Sequence, residues 1–203
     1  MLQSFTSTAG VLVLAGVVCM LGASGAGTPP RSSTPAATRK PAGGEPHMKI
    51  SIRSTAFDPG RPVPRKHTGD GEDFSPPLAW SDLPKETREL ALIVDDPDAP
   101  SAEPWVHWVI YKIQPTVTAL PQGISPAAKV ESPGGALQGK NSWGTAGWRG
   151  PSPPRGGAHH YHFRLYALDA PLQVQPGLDK RALLAAMSGH VLAEGELVGT
   201  YRR

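Results

Sequence analysis

The stretch ELALIVDDPDAPSAEPWVHWVIYKI, residues 89–113, decides the fold. Residues 89–95 form a compact apolar run that ends in acidic residues and proline. Residues 105–113 are rich in β-branched and aromatic side chains. Both read as strands. Pro97 and Pro100 restrict the backbone between them, so the first strand enters a rigid loop. Strict alternation along the second strand places Trp105, His107, Val109 and Tyr111 on one face, and Val106, Trp108 and Ile110 on the other. Asp96 and Asp98, at i and i+2 on an extended chain, are expected to point to one side.

Working outward, residues 49–54 alternate with Ile50 and Ile52 on one face. Residues 161–168 (YHFRLYAL) and 191–201 supply two further strands. One helix is expected. Asp179 can cap it, Leu183, Leu184 and Met187 face the core, and Gly189 can end it. The segments between strands are long and Pro-rich. The fold class is therefore mainly β, an antiparallel sandwich with one or two short helices. Gly and Pro contribute 23 residues each to the 203. That is about twice the usual share, and it argues against long helices.

The N-terminal part differs. Residues 9–23 (AGVLVLAGVVCMLGA) are almost wholly apolar and are followed by small residues. Residues 1–27 read as a secretory signal or an N-terminal membrane anchor, although no Lys or Arg precedes the apolar run. Residues 28–46 are rich in Pro, Ser, Thr and Ala and read as a disordered linker. Residues 47–203 form the domain. Export to the periplasm, the cell exterior or a membrane anchor is expected. A cytoplasmic protein results if translation starts at Met48. Before Arg31 there is no charged residue, and three basic residues and one acidic residue occupy 31–45. The domain is left with 17 basic and 16 acidic residues. Such a neutral domain is a poor candidate for nucleic-acid binding, which needs clustered Lys and Arg.

Three loops bring polar groups to strand ends. The first carries Asp95, Asp96 and Asp98, and the second leads to His107. The third, GPSPPRGGAHHYHF at residues 150–163, places His159, Tyr161, Phe163 and Leu165 on one face and His160, His162 and Arg164 on the other. Such a set can coordinate a metal or surround a small anion, and spacing does not choose between them. The only cysteine, Cys19, lies in the leader, so the domain has neither a disulfide nor a thiol nucleophile. No HExxH spacing and no G-x-S-x-G elbow is present. No cofactor, metal or catalytic residue is assigned.

At these residues the chain resembles the phosphatidylethanolamine-binding protein family, in its bacterial Raf kinase inhibitor-like (YbhB/YbcL-type) branch. Residues 94–100 followed by 105–108 match a D-P-D-A-P then H-W signature. Residues 150–166 match G-P-x-P-P…H-x-Y-x-F-x-L-Y. Residues 70–80 (DGEDFSPPLAW) and 189–201 (GHVLAEGELVGTY) also look like that branch. The resemblance implies a β-sandwich and a small pocket for phosphate-like anions or phospholipid headgroups. Carried over residue by residue, the ligand-binding set is Asp96, Asp98, Pro100, Trp105, His107, Pro153, His159 and Tyr161. It implies a non-enzymatic, binding or regulatory role, with inhibition of a protease or kinase as the alternative. Departures are His160 where Arg is common, Gly69 and Ser152 where Cys is common, Trp148 for Tyr and Arg149 for Gly. The Gly69 and Ser152 changes remove any disulfide linking those positions. If His160 supports the pocket rim, affinity becomes more pH-dependent.

Overall fold

The apolar run of residues 89–96 is buried along its whole length because it runs through the middle of the larger sheet, with cover on both faces. The computed structural model describes residues 48–131 and 134–203. The leader, the linker and their boundaries lie outside the described residues. Among those described, no helix is long and apolar enough to cross a membrane.

In chain order the strands are β1 (Met48–Lys49), β2 (Ser51–Arg53), β3 (Leu78–Ser81), β4 (Glu89–Asp96), β5 (Trp105–Ile113), β6 (Ala119–Leu120), β7 (Leu137–Gln138), β8 (His159–Leu168) and β9 (Val191–Tyr201). Among the described residues a single α-helix, α1, spans Lys180–Met187, and one 3-10 turn spans Arg65–His67. The larger sheet has the order β1-β9-β8-β4-β5-β7, and the smaller β2-β3-β6. All pairings are antiparallel except β1 with β9. The alternating segment 49–54 is thus shared between two sheets. At Ile50 the chain passes from one to the other, with its N–H donating to the Glu194 carbonyl at 3.0 Å.

Leu90, Leu92, Val94, Phe163 and Leu165 pack between the sheets with Ile52, Leu78 and Trp80. On the outer face of the larger sheet, Ala91, Ile93, Val109, Tyr111, Tyr166 and Leu168 pack against Leu183 and Met187 of α1. Burying such side chains contributes about 1.5–3 kcal/mol each. Asp179 caps α1 by accepting from the Ala182 N–H at 2.8 Å, and Gly189 follows the helix at φ +83°. Leu184 departs from expectation. It is 38% exposed, because an eight-residue helix on a flat sheet buries only its i and i+4 row.

The faces of β5 also differ from strict alternation. Val94 pairs with Trp108 and Asp95 with Val106, so His107 is an extra residue without a partner. This bulge turns His107 and Trp108 to the same side. Trp108 and Ile110 therefore share the inter-sheet face with His107, while Val106, Val109 and Tyr111 lie on the helix side. A second irregularity between Leu90 and Leu92 accompanies Lys112, whose φ is +57°.

Candidate functional site

Because the strands are antiparallel, the end of β4 and the starts of β5 and β8 meet at one edge of the sheet. Asp96 pairs with Trp105, and Asp95 pairs with both Val106 and His162. A cavity of about 260 Å³ opens there. Asp96, Pro100, Trp105, His107, Pro153, His159 and Tyr161 all line it. Seven of the eight residues expected from the sequence are therefore brought together.

Asp98 is the one placed elsewhere. The chain is no longer extended beyond Asp96. The Asp98 N–H folds back to donate to Asp96 Oδ1 at 2.8 Å, forming an Asx turn. The Asp98 carboxylate then points to His160, accepting from its backbone N–H at 2.8 Å and its Nδ1–H at 2.7 Å. These bonds hold the Asp98 carboxyl below the usual range, chiefly through the His160 side chain. His160 is more than half exposed and does not line the cavity; it ties the β4–β5 loop to β8.

Asp96 is 3% exposed and accepts two bonds. Its Oδ1 holds the loop, and its Oδ2 takes the Nδ1–H of His159 at 2.8 Å. A carboxylate only accepts, so Nδ1 of His159 carries the hydrogen and Nε2 is left for a ligand. The neighbouring carboxylate of β4, Asp95, faces the helix side of the sheet. It is buried and held by Arg164 at 2.9 Å and by Lys180. Two adjacent acids of one strand thus serve opposite faces: Asp96 the cavity, Asp95 the attachment of α1.

His107 is 3% exposed, and its Nδ1–H donates to the Arg149 carbonyl. Burial pushes the imidazole below the ordinary histidine range, so it is neutral at pH 7. Its ring lies edge-on to Tyr161, with centroids 5.1 Å apart. Burial, reinforced by the Asp96 charge, pushes the Tyr161 phenol far up, so it stays protonated.

Trp143, not singled out from the sequence, completes the wall. It is 36% exposed and edge-on to Trp105 (5.3 Å) and His107 (5.2 Å), with the Arg149 guanidinium 4.6 Å from its ring centroid. A large aromatic inside the Gly-rich run SWGTAGW, residues 142–148, was the available signal. Ala99, Ser101, Ser152 and Pro154 are further lining residues. Neither serine is bonded to an imidazole. Ser101 Oγ donates to the Glu103 carbonyl and Ser152 Oγ to Asp70. A nucleophile–base pair of the hydrolase kind is therefore not formed among the described residues. Nor does any group of three or more His, Cys, Asp or Glu among them have the arrangement to hold a metal ion.

Taken together, fold and site define a β-sandwich whose strand-end loops enclose a small Asp/His/Tyr pocket. The family model described as phosphatidylethanolamine-binding protein matches residues 53–202. The chain belongs to that family, and the bacterial YbhB/YbcL-type branch fits it. A protein of Methanothermobacter thermautotrophicus designated UPF0098 is 49% identical over 154 residues, covering 76% of this chain and 99% of the relative. The crystal structure of a phosphatidylethanolamine-binding protein homologue from Chlamydia trachomatis matches with TM-score 0.69 and 40% identity, over 76% of this chain and 98% of that one. Escherichia coli YbcL, described as a member of the mammalian family, matches with TM-score 0.71 and 31% identity, over 76% and 99%. Proteins of this family are generally binding proteins rather than enzymes, and membership supports a ligand-binding role.

Proposed function

We propose that the cavity binds a phosphate-like oxyanion, free or as part of a phospholipid headgroup, without covalent chemistry. The observation that carries this reading is the His159 imidazole, backed by the buried Asp96 carboxylate at 2.8 Å and lining the same cavity as the protonated Tyr161 phenol. The carboxylate fixes the ring through Nδ1 and leaves Nε2 free, and a protonated ring donates through Nε2 to an anion. The phenol adds a second donor. Trp105, Trp143, Pro100 and Pro153 supply apolar walls for whatever the phosphoryl group is esterified to.

His107 acts differently from His159 in this reading. With Nδ1–H committed to the Arg149 carbonyl, a neutral ring offers only the Nε2 lone pair. It accepts a hydrogen, either from a protonated phosphate oxygen or from a headgroup ammonium. The pocket therefore favours ligands that carry both an anionic oxygen and a proton donor.

The test is calorimetric titration with inorganic phosphate and with phosphoethanolamine. His159→Ala is expected to weaken both at least tenfold. His107→Ala is expected to weaken phosphoethanolamine more than phosphate. Unchanged affinity in both variants rules the pocket out.

A further inference from the structure

His159 of the cavity and Tyr201 of β9 are paired across neighbouring strands, so their side chains rise from the same face about 5 Å apart. Tyr201 belongs to a second concavity of about 340 Å³, lined by Arg65, Asp70, Arg155, Tyr201 and Arg203. The segment Ser152–Pro153–Pro154 walls the first cavity, and the next residue, Arg155, walls the second. One short stretch of chain thus separates the two.

The second concavity is built around Asp70. Its carboxylate accepts from Ser152 Oγ at 3.1 Å and from the Tyr201 hydroxyl at 3.1 Å, and it forms an ion pair with Arg203, whose Nε lies 3.2 Å away. Arg65 Nε donates to the Asp70 carbonyl at 2.9 Å. Arg65 is thus held by a hydrogen bond from Nε, and Arg203 by an ion pair on its Nε side. Among the described residues, no bond engages the terminal nitrogens of either, and Arg155 makes no hydrogen bond or ion pair. Three guanidinium groups face one carboxylate, leaving an excess of two positive charges.

We infer that Arg65, Arg155 and Arg203 form a second anion subsite that takes a phosphate-type dianion. The chemistry follows from the donor geometry. A guanidinium held by Nε presents its two Nη groups as a fork, which matches two oxygens of one phosphoryl group. Asp70 orients two forks and is itself satisfied by Tyr201 and Ser152, so it does not compete for them. A dianion neutralises the excess charge. The site stands beside the proposed pocket but does not depend on it.

The test is a titration of inorganic phosphate at low ionic strength into the wild type, Arg155→Gln/Arg203→Gln and His159→Ala. Two classes of site are expected in the wild type. The arginine double variant should weaken one class at least tenfold and leave the other within twofold. Both substituted arginines are exposed, so the fold is retained. A parallel arm measures retention on phosphatidylcholine vesicles with and without phosphatidic acid. Loss of phosphatidic-acid-dependent retention in the double variant assigns the dianion to a lipid headgroup. Loss confined to soluble phosphate assigns it to a free ligand. An unchanged response in both arms overturns the inference. His159→Ala without effect on either class overturns the pocket reading and leaves this one standing.

Discussion

Gly69 and Ser152 are distant in sequence but adjacent in the fold, and the pair can be turned into a measurement. The Gly69 N–H donates to the Pro151 carbonyl at 2.9 Å, and a Cβ placed on Gly69 would lie 3.1 Å from Ser152 Cβ. Its next neighbours are carbonyl oxygens at 3.6 and 3.7 Å, which is ordinary contact. Gly69 has no positive φ, so a side chain is tolerated. Bridged half-cystines have Cβ atoms about 3.5–4.5 Å apart, so Gly69→Cys/Ser152→Cys closes a disulfide once the two loops separate by a few tenths of an ångström. The loop closed is about 80 residues, and constraining it destabilises the unfolded chain by about 4.5 kcal/mol on the chain-entropy relation. Two terms oppose this. Losing the Ser152–Asp70 bond costs about 0.5–1 kcal/mol, and the residual strain is of similar size. A net gain of about 3 kcal/mol corresponds to a rise in Tm of roughly 6–12 °C for a domain of this size. The assay is thermal unfolding of the double variant, oxidised and reduced, with thiol counting in each state. Two free thiols under oxidising conditions, or an oxidised Tm no higher than the reduced one, would refute the adjacency of the two loops.

Asp96→Asn removes one of two acceptor oxygens that each hold a donor, so one bond becomes a donor–donor clash; a loss of about 1.5 kcal/mol, near tenfold in phosphate affinity, is expected by calorimetry. Acid should destabilise the fold. His67 and His107 are both pushed down mainly by burial, so the unfolded chain binds more protons as pH falls below the ordinary histidine value, and stability present at pH 7 is lost toward pH 5. Denaturant titrations across that range should show it, and His107→Gln should flatten the slope; a slope of opposite sign would contradict the burial of these rings. Arg164→Met leaves Asp95 buried with Lys180 alone, and a loss of about 2–3 kcal/mol is expected, below the 3–5 of a fully orphaned buried charge; equilibrium unfolding measures it.

The strands that carry the site were legible because their side chains alternate. From His159 to Leu165 the expected faces are the observed ones, and the apolar run before Asp95 is the strand it reads as. What failed to show was anything depending on backbone that leaves the regular period. The extra residue at His107 reverses Val109 and Tyr111, since an inserted residue has no signature in a pattern of apolar types. The Asx turn at Asp98 redirects a carboxylate that an extended chain would aim at the cavity. Trp143 and the Arg149 carbonyl come from a loop whose path is set by tertiary contacts. Leu184 looked like core because its type is apolar, whereas a short helix on a flat sheet has a narrow buried row.

The bulge in β5 has a consequence for how this site can be lost. Without His107, Val106 and Trp108 would become consecutive and the ladder with β4 would run in continuous register from Asp96 to Leu92. Deleting one codon would therefore repair the sheet while erasing a cavity residue. The pocket exists where the sheet is least regular, so selection for a more stable sheet and selection for an occupied pocket pull on the same residue in opposite directions.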